Sequence, residues 1–346
     1  MIDGGYSRLL GLHGKIAFDW IESDSLAQNG LGDSPQKPVT VYTPPGYDSE
    51  GSHRYPVIYV LHGYLGDTAR LVSAGPWDRN VFQWADYLIR ERRMPPAVVV
   101  GVDGFTRLGG SQYVDSVQNG NYATYVVNDV VGHVDANYRT IAREGGRAVV
   151  GKSSGGFGAM HLAMQHPGTF AAFASHSGDA YFRETFPPGF PTAQRTLEKH
   201  NFELRSFLEA FERKPKRGQS DFDTMMIVAM AAAYSPKSAA PLDVELPFDE
   251  RTGELRDDVF ARWLAFDPVE RVGSRVKELS RLRLRFIDCG RRDEYSLDIG
   301  ARILVARMRE HDLEVRHEEF DDDHRNVGYR YEISLPALAA VLDERP

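Results

Sequence analysis

Short runs of apolar residues alternate with segments of helical spacing along most of the chain. The runs 55–61 and 97–102 are typical of strands buried on both faces, and a segment whose apolar residues recur every three or four positions usually follows a run. This alternation predicts a mostly parallel central sheet with helices on both faces. The predicted strands are 38–43, 55–61, 97–102, 148–150, 170–175, 282–288 and 313–320, and the predicted helices are 81–92, 122–138, about 154–166, 299–308 and 333–342.

Two intervals depart from this alternation. Residues 9–21 alternate loosely between apolar and polar and, with the strand 38–43, predict an antiparallel start to the sheet. A long interval after the strand 170–175 holds a helical pattern at 204–213 and a Met-rich run at 225–233, which is typical of a buried helix. An insertion of this length after a strand is typical of a cap over the strand ends. We therefore expect core segments at 1–178 and 273–346 and an inserted helical cap or lid at 179–272.

Composition and charge narrow the class of protein. With 42% hydrophobic and 26% charged residues, the 346-residue chain has the composition of a globular protein, and it lacks the run of about 18 apolar residues that predicts a membrane span. A net charge of -8 argues against nucleic-acid binding. Cys289 is the only cysteine, which excludes an intramolecular disulfide. The amino-terminal residues lack a signal-peptide pattern, so we expect a cytoplasmic protein.

A Gly-x-Ser-x-Gly turn at residues 151–155 separates the strand 148–150 from a helical segment. The order of strand, tight turn and helix is typical of a nucleophile elbow, which lifts a serine hydroxyl from the end of a sheet. Ser153 is therefore the candidate nucleophile. Taken alone, these five residues are equally compatible with an ordinary turn serine or a helix N-cap.

A serine hydroxyl needs a base within hydrogen-bond reach and an acid that orients this base. Asp293 follows a later predicted strand and His324 follows the last one, so parallel strands would bring both loops to the sheet end that carries Ser153. The order serine, acid, histidine is also that of the α/β-hydrolases. Ser153, Asp293 and His324 therefore form the predicted catalytic triad.

Other residues compete for the roles of acid and base. Asp288 ends its strand and is expected to lie closer to the sheet than Asp293, which we favour as the acid; Glu294 is a third option. His324 is favoured as the base because of its position in a loop. The remaining candidate histidines are His62, His161, His311 and His317.

Attack on an ester would create an oxyanion that needs backbone N–H donors. Ser154, directly after the nucleophile, would supply one donor. Tyr64, in the His62-Gly63-Tyr64 turn after an earlier strand, would supply the other, although a plain tight turn is the alternative there. This predicted chemistry uses no cofactor and no metal ion, and its predicted partner is a small-molecule ester.

Several segments together resemble the putative esterase (esterase D-like) family of α/β-hydrolases, which includes S-formylglutathione hydrolases, feruloyl and enterochelin esterases, and mycolyltransferases. The likeness covers roughly residues 38–180 and 280–330 and leaves the insertion unmatched. It implies an α/β-hydrolase fold, and it implies the same triad and oxyanion donors. The segments that carry it are 61–64, 110–113, 134–140, 151–156 and 288–295.

Two local departures from the family pattern concern the site. Asp322 and Asp323 precede His324, where many family members have two glycines. The Lys152-Ser153-Ser154 sequence differs from the His-Ser-Met of the formylglutathione hydrolases, which argues against that substrate.

The leading hypothesis is a serine carboxylesterase that forms an acyl-enzyme on Ser153. An acyltransferase that uses the same serine is the alternative, and a non-catalytic binding protein on the same fold is a further one. We expect the insertion and loop residues such as Trp77, Tyr113 and Tyr181 to select the acyl and alcohol groups.

Overall fold

The computed structural model describes residues 4–49 and 51–342 and is built on one eight-stranded sheet. The strands in chain order are β1 (Lys15–Glu22), β2 (Gln36–Thr43), β3 (Val57–Leu61), β4 (Val98–Val102), β5 (Asp115–Ser116), β6 (Gly120–Asn121), β7 (Arg147–Lys152), β8 (Ala172–His176), β9 (Leu284–Gly290) and β10 (Arg316–Phe320). The main sheet has the order β1-β2-β4-β3-β7-β8-β9-β10, and β5 and β6 form a separate small sheet.

The strand directions confirm the predicted mostly parallel sheet with an antiparallel start. Strand β2 pairs antiparallel with both β1 and β4, whereas every neighbouring pair from β4 to β10 is parallel. One detail differs from the expectation for residues 9–21, because a helix at Gly4–Leu9 precedes β1, which begins only at Lys15.

Helices connect the strands in the predicted places. The segment predicted as a helix at 122–138 contains a π-helical stretch at Tyr125–Val130 between two α-helical pieces. The helices are α1 (Gly4–Leu9), α2 (Thr68–Leu71), α3 (Val81–Arg90), α4 (Tyr122–Thr124), α5 (Val131–Asn137), α6 (Ser154–Gln165), α7 (Phe182–Thr185), α8 (Phe190–Glu198), α9 (Leu204–Arg213), α10 (Gln219–Tyr234), α11 (Asp257–Leu264), α12 (Pro268–Arg271), α13 (Val276–Ser280), α14 (Leu297–Glu310) and α15 (Tyr331–Val341). Short 3₁₀ turns occur at Asp24–Leu26, Glu144–Gly146, Pro187–Gly189, Val272–Ser274 and Val327–Arg330.

Apolar side chains cover both faces of the sheet, which explains why its central strands are apolar throughout. Helices α5, α6 and α14 pack in the cluster on one face, and α3 and α15 pack in the cluster on the other. Strands β3 and β4 are buried along their whole length between these two layers. The sheet thereby forms a rigid support for the loops at its carboxyl end.

A third apolar cluster lies in the interval between β8 and β9. It is formed mainly by α7 to α11, with the fully buried Trp263 among its largest side chains, and it includes Phe157 from α6. The Met-rich run lies in α10, where residues 227–233 are buried, so the predicted buried helix is confirmed. None of the described helices is both long and apolar enough to cross a membrane.

Candidate active site

Ser153 lies in a tight turn between β7 and α6. Its backbone φ of 56° and ψ of -126° place a non-glycine residue in a strained region, and its N–H donates a 2.9 Å hydrogen bond to the carbonyl oxygen of His176. A Cβ atom on Gly155 would lie 2.1 Å from the carbonyl oxygen of Leu61, so glycine is required there. The turn therefore has the geometry of the predicted elbow.

His324 joins Ser153 to Asp293 by hydrogen bonds. Its Nε2 atom lies 3.0 Å from the Ser153 Oγ atom, and its Nδ1 atom lies 2.7 Å from Asp293 Oδ2. Asp293 Oδ1 accepts a 2.9 Å hydrogen bond from the Tyr295 N–H, and the Tyr295 ring packs edge-on against His324 with centroids 4.9 Å apart. In this arrangement Nε2 can accept the serine proton while the carboxylate holds Nδ1–H. The structure thus brings the predicted triad residues together, and their catalytic roles stay a prediction.

The competing acids have other partners. Asp288 contacts His176 and Arg330 in the interior. Glu294 accepts a 2.9 Å hydrogen bond from the backbone N–H of His324. Its carboxylate therefore contacts the histidine backbone and not the imidazole ring.

The competing histidines lie elsewhere in the fold. His161 Nδ1 accepts a 2.8 Å hydrogen bond from Arg271, and His317 belongs to β10. Among the interactions of the described residues, no hydrogen bond links Ser153 Oγ to His62, His161, His311 or His317.

The turn predicted to supply an oxyanion donor lies beside Ser153, because a Cβ atom on Gly63 would lie 3.3 Å from Ser153 Cβ. His62 holds this turn: its Nε2 accepts a 2.8 Å hydrogen bond from the Gly104 N–H, which leaves Nδ1–H to donate to the Gly63 carbonyl at 2.9 Å. Burial lowers the pKa of His62 and so favours the neutral ring that these bonds require.

Both predicted oxyanion donors are available. The N–H of Tyr64 has no backbone acceptor within the part of the chain that the structure describes. The N–H of Ser154 begins α6, and the first N–H groups of a helix have no acceptor within the helix. Their role as a pair of oxyanion donors stays a prediction.

A cavity of about 170 Å³ opens beside Ser153 and His324. Trp77, Tyr113 and Tyr181, which we expected to read the substrate, do not line it; Tyr113 is buried and donates a hydrogen bond to the His62 carbonyl. Asp179 does line it, although sequence reasoning gave that residue no role. The remaining lining residues are Tyr64, Leu65, Ser154, Thr185, Phe186, Met226, Met230, Tyr295 and Leu297.

Burial shifts several pKa values around this cavity. It raises the pKa of Asp179 to about 7 and that of the Cys289 thiol, whose sulfur lies 3.6 Å from Asp293 Oδ2. Burial also lowers the pKa of Lys152, against the opposing effect of nearby carboxylates led by Asp293. In residues 4–49 and 51–342, no group of three or more His, Cys, Asp and Glu side chains could hold a metal ion.

The parallel sheet, the elbow and the loops that meet at its carboxyl end define the α/β-hydrolase fold class. A model of the family described as "Putative esterase" matches residues 35–332, and the chain belongs to this family. The resemblance inferred from the sequence motifs is therefore confirmed.

Curated relatives match less than half of the chain. It is 36% identical over 151 residues to Esterase Rv1288 of Mycobacterium tuberculosis (strain ATCC 25618 / H37Rv), a match that covers 43% of this chain and 30% of that protein. It is 26% identical over 158 residues to an endo-1,4-beta-xylanase/feruloyl esterase of Xylanibacter ruminicola, covering 42% of this chain and 20% of that protein. The matches thus span less than a third of the length of these relatives.

Solved structures match over nearly the whole chain. A ferulic acid esterase superposes with a TM-score of 0.62 at 17% identity, covering 95% of this chain and 99% of that one. An S-formylglutathione hydrolase from Agrobacterium tumefaciens superposes with a TM-score of 0.59 at 16% identity, covering 96% and 97%. At these identities the likeness shows a shared fold.

Proposed function

We propose that this chain is a serine carboxylesterase that hydrolyses a small-molecule ester through an acyl-enzyme. The observation that carries the proposal is the continuous hydrogen bonding from Asp293 through His324 to Ser153, at 2.7 Å and 3.0 Å, beside an accessible cavity. Membership in the putative esterase family supports the same reaction class.

In the proposed acylation step, Ser153 Oγ attacks the ester carbonyl and His324 Nε2 takes the serine proton. Asp293 keeps the proton of His324 on Nδ1 and stabilises the imidazolium. The N–H groups of Tyr64 and Ser154 hold the oxyanion, each contributing about 3 kcal/mol in the transition state. Collapse of the intermediate expels the alcohol, which receives the proton from His324.

Water completes the proposed cycle. His324 takes a proton from a water molecule, the resulting hydroxide attacks the acyl carbon, and Ser153 Oγ leaves with the proton returned by His324. The acid is released and the free serine is restored. No group beyond these side chains and backbone N–H donors takes part in the proposed steps.

We further propose that residues 179–272 form the cap that selects the substrate. Phe186, Met226 and Met230 from this segment line the cavity beside Ser153. The acyl or alcohol group would therefore contact the insertion directly. A cytoplasmic location remains a prediction.

Replacing the proposed nucleophile tests the proposal. Ser153→Ala should lower kcat/KM on a p-nitrophenyl acyl ester by at least about 10⁴-fold, since loss of the nucleophile removes the triad as a unit. It should also abolish labelling by a fluorophosphonate probe. Ser280→Ala, whose hydroxyl donates only to the Lys277 carbonyl on an exposed helix end, is the matched control and should keep full activity.

Full hydrolysis by Ser153→Ala would refute the assignment. Normal folding of the variant is checked by its thermal unfolding temperature. Analysis of the products formed in the presence of added alcohols then distinguishes hydrolysis from acyl transfer, because both begin with the same acyl-enzyme.

A further inference from the structure

Asp179 places a carboxylate in the wall of the cavity beside Ser153. The residue lies in the loop after β8, is only 7% exposed, and lines the cavity together with Ser153 and His324. Its Oδ2 atom accepts a long, 3.5 Å hydrogen bond from the Ser154 hydroxyl. Within the described chain, Oδ1 accepts no hydrogen bond and no Lys or Arg forms an ion pair with Asp179.

A buried carboxyl group normally has several donors around it. Asp267 illustrates this, since it is fully buried and accepts backbone N–H bonds from Tyr181, Phe182 and Val269 at 2.7–3.0 Å. Asp179 is almost as buried and has a single, weak donor. The difference indicates that Asp179 Oδ1 is kept free for a group that enters the cavity.

The neighbouring side chains keep that oxygen free. Gln112 Nε2 donates a 2.9 Å hydrogen bond to Ser154 Oγ, so the one hydroxyl proton of Ser154 is directed to Asp179 Oδ2. The Gln112 Oε1 atom is itself buried without a donor among the described residues. The second Gln112 N–H donates to the sulfur of Met230, so neither Gln112 nor the Ser154 hydroxyl has a further proton for Asp179 Oδ1.

The rest of the cavity wall is mostly apolar, but a wholly apolar ligand is a poor match beside Asp179. Leu65, Phe186, Met226, Met230 and Leu297 form most of the rest of the lining. A purely apolar chain would fit these walls but would cover the free carboxylate oxygen and remove it from water. Covering a polar group without pairing it is unfavourable.

We propose that this cavity binds a part of the ester substrate that carries a hydrogen-bond donor, a hydroxyl or an amine, and that Asp179 Oδ1 accepts its hydrogen bond. The inference rests on the proposed esterase function, because it concerns the substrate of that same site. A site built to pair with a substrate hydroxyl or N–H rejects the analogue that lacks it. Asp179 is thereby a specificity-determining residue.

The test compares matched esters. Methyl alkanoates with four to six acyl carbons and alkyl acetates of the same chain lengths are assayed unsubstituted, with a terminal hydroxyl and with a terminal amine. In the wild type, kcat/KM for at least one hydroxyl or amine ester should exceed that of its unsubstituted partner by about 10-fold or more. In Asp179→Leu this ratio should fall to about one.

Two further variants make the result specific. Asp179→Asn keeps an acceptor but no charge, so it should retain part of a hydroxyl preference and lose an amine preference. Glu184→Gln removes an exposed carboxylate outside the cavity and should keep the wild-type ratio. The hydroxyl and amine arms thus identify the donor, and Asp179→Asn decides the question if the leucine variant does not fold.

The proposal is overturned if the unsubstituted esters are the better wild-type substrates in both series. It is equally overturned if the ratio in the Asp179 variants equals that of the wild type. Hydrolysis of p-nitrophenyl acetate and fluorophosphonate labelling of Ser153 report separately on the triad. If the wild type shows neither reaction, the proposed esterase function is refuted, and the proposed role of Asp179 with it.

Discussion

Asp288 and Asp293 lie five residues apart, yet their carboxylates contact different histidines. Asp293 contacts His324 beside the cavity, whereas Asp288 Oδ1 contacts His176 Nδ1 at 2.7 Å and Asp288 Oδ2 accepts from Arg330 Nε at 2.8 Å. Asp288 has no exposed side-chain surface and His176 has 2%. The Asp288 pair is therefore out of reach of any substrate.

This interior pair continues into a second serine. Ser334 Oγ lies 2.8 Å from His176 Nε2, so Ser334, His176 and Asp288 repeat the residue types of the candidate triad in the protein interior. Ser334 belongs to α15, whereas the carbonyl of His176 accepts the N–H of Ser153. Ser334, His176 and Asp288 thus connect helix α15 to the end of β8, where the His176 carbonyl holds the backbone of Ser153.

The two aspartates should respond differently to replacement by asparagine. Asp293→Asn should lower kcat by about 10⁴-fold with little change in stability, because the imidazole loses the group that fixes its tautomer. Asp288→Asn removes an acceptor from buried His176 and from Arg330, which keeps its ion pair with Glu318, and should lower the free energy of unfolding by about 1–3 kcal/mol. Urea unfolding and ester hydrolysis by the folded fraction separate the two effects. A kcat loss of 10⁴-fold in a normally stable Asp288→Asn would reverse the assignment.

The candidate triad could be predicted because it depends on chain order and loop position. His324 and Asp293 follow strands, and parallel strands bring such loops to one end of a sheet. Asp179 follows a buried strand too, which was the available signal for its position. Its lack of donors could not be predicted, since that depends on how Gln112 and Ser154, from distant segments, share their protons.

The close approach of β3 and α6 determines the shape of the elbow. A Cβ atom on Gly155 would lie 2.1 Å from the Leu61 carbonyl oxygen at the end of β3, and backbone atoms cannot yield as the tip of a side chain can. The turn that carries the Tyr64 N–H begins directly after Leu61. Any shift of this strand end would therefore move the proposed oxyanion donor.

Gly155→Ala should accordingly lower the free energy of unfolding by about 1–3 kcal/mol. It should also lower kcat at least about 10-fold, because the proposed oxyanion donor moves. Gly132→Ala on α5 is the matched control, because its added Cβ atom would meet no atom within 4 Å. That change should raise the free energy of unfolding by about 0.5–1 kcal/mol, since alanine favours the helix. Urea unfolding and ester hydrolysis measure both variants, and a Gly155→Ala protein with wild-type stability and kcat would contradict this account.

Strands were more predictable than their ends. Apolar runs identified the central strands β3, β4, β7 and β8, because buried parallel strands need apolar residues on both faces. Strand β10 was predicted too, although its residues are mostly polar and only half-buried. The start of β10 was predicted three residues too early, since Leu313 is buried but pairing with β9 begins only at Arg316. Helices α8 and α11 were not predicted, because such short helices depend on tertiary packing for their stability.

The proposed cap and the core share one apolar cluster. Phe157 on α6 packs against Phe182 and Tyr234 of the insertion, with ring centroids 5.7 and 6.1 Å apart. Gln112 of the core donates a 2.9 Å hydrogen bond to the sulfur of Met230 on α10. A movement of the insertion would therefore shift both α6, which follows the elbow, and the wall of the cavity. The sequence predicted the insertion from its length alone, so these contacts with the core could not be predicted.

Retaining Asp179 in the cavity should lower the stability of the whole protein. Burial raises the pKa of Asp179 from the ordinary value of 3.8 to about 7, so the folded protein binds this proton more tightly than the unfolded chain does. The ionised carboxylate therefore destabilises the folded state above pH 7, and the penalty disappears as the pH falls through 7 toward 4. A pKa difference of about three units corresponds to a penalty of up to about 4 kcal/mol at pH 8.

Asp179→Asn should consequently unfold at a higher urea concentration than the wild type at pH 8. The difference should be less than half as large at pH 5, where the carboxyl of the unfolded chain is still ionised, and nearly absent at pH 4. Glu184→Gln, which removes an exposed carboxylate on α7, is the matched control and should unfold at nearly the same urea concentration as the wild type at each pH. Equal stability of Asp179→Asn and the wild type at pH 8 would mean that the carboxyl is already paired or neutral. A gain in stability would instead show that the fold does not need this carboxylate, as expected for a residue proposed to bind substrate.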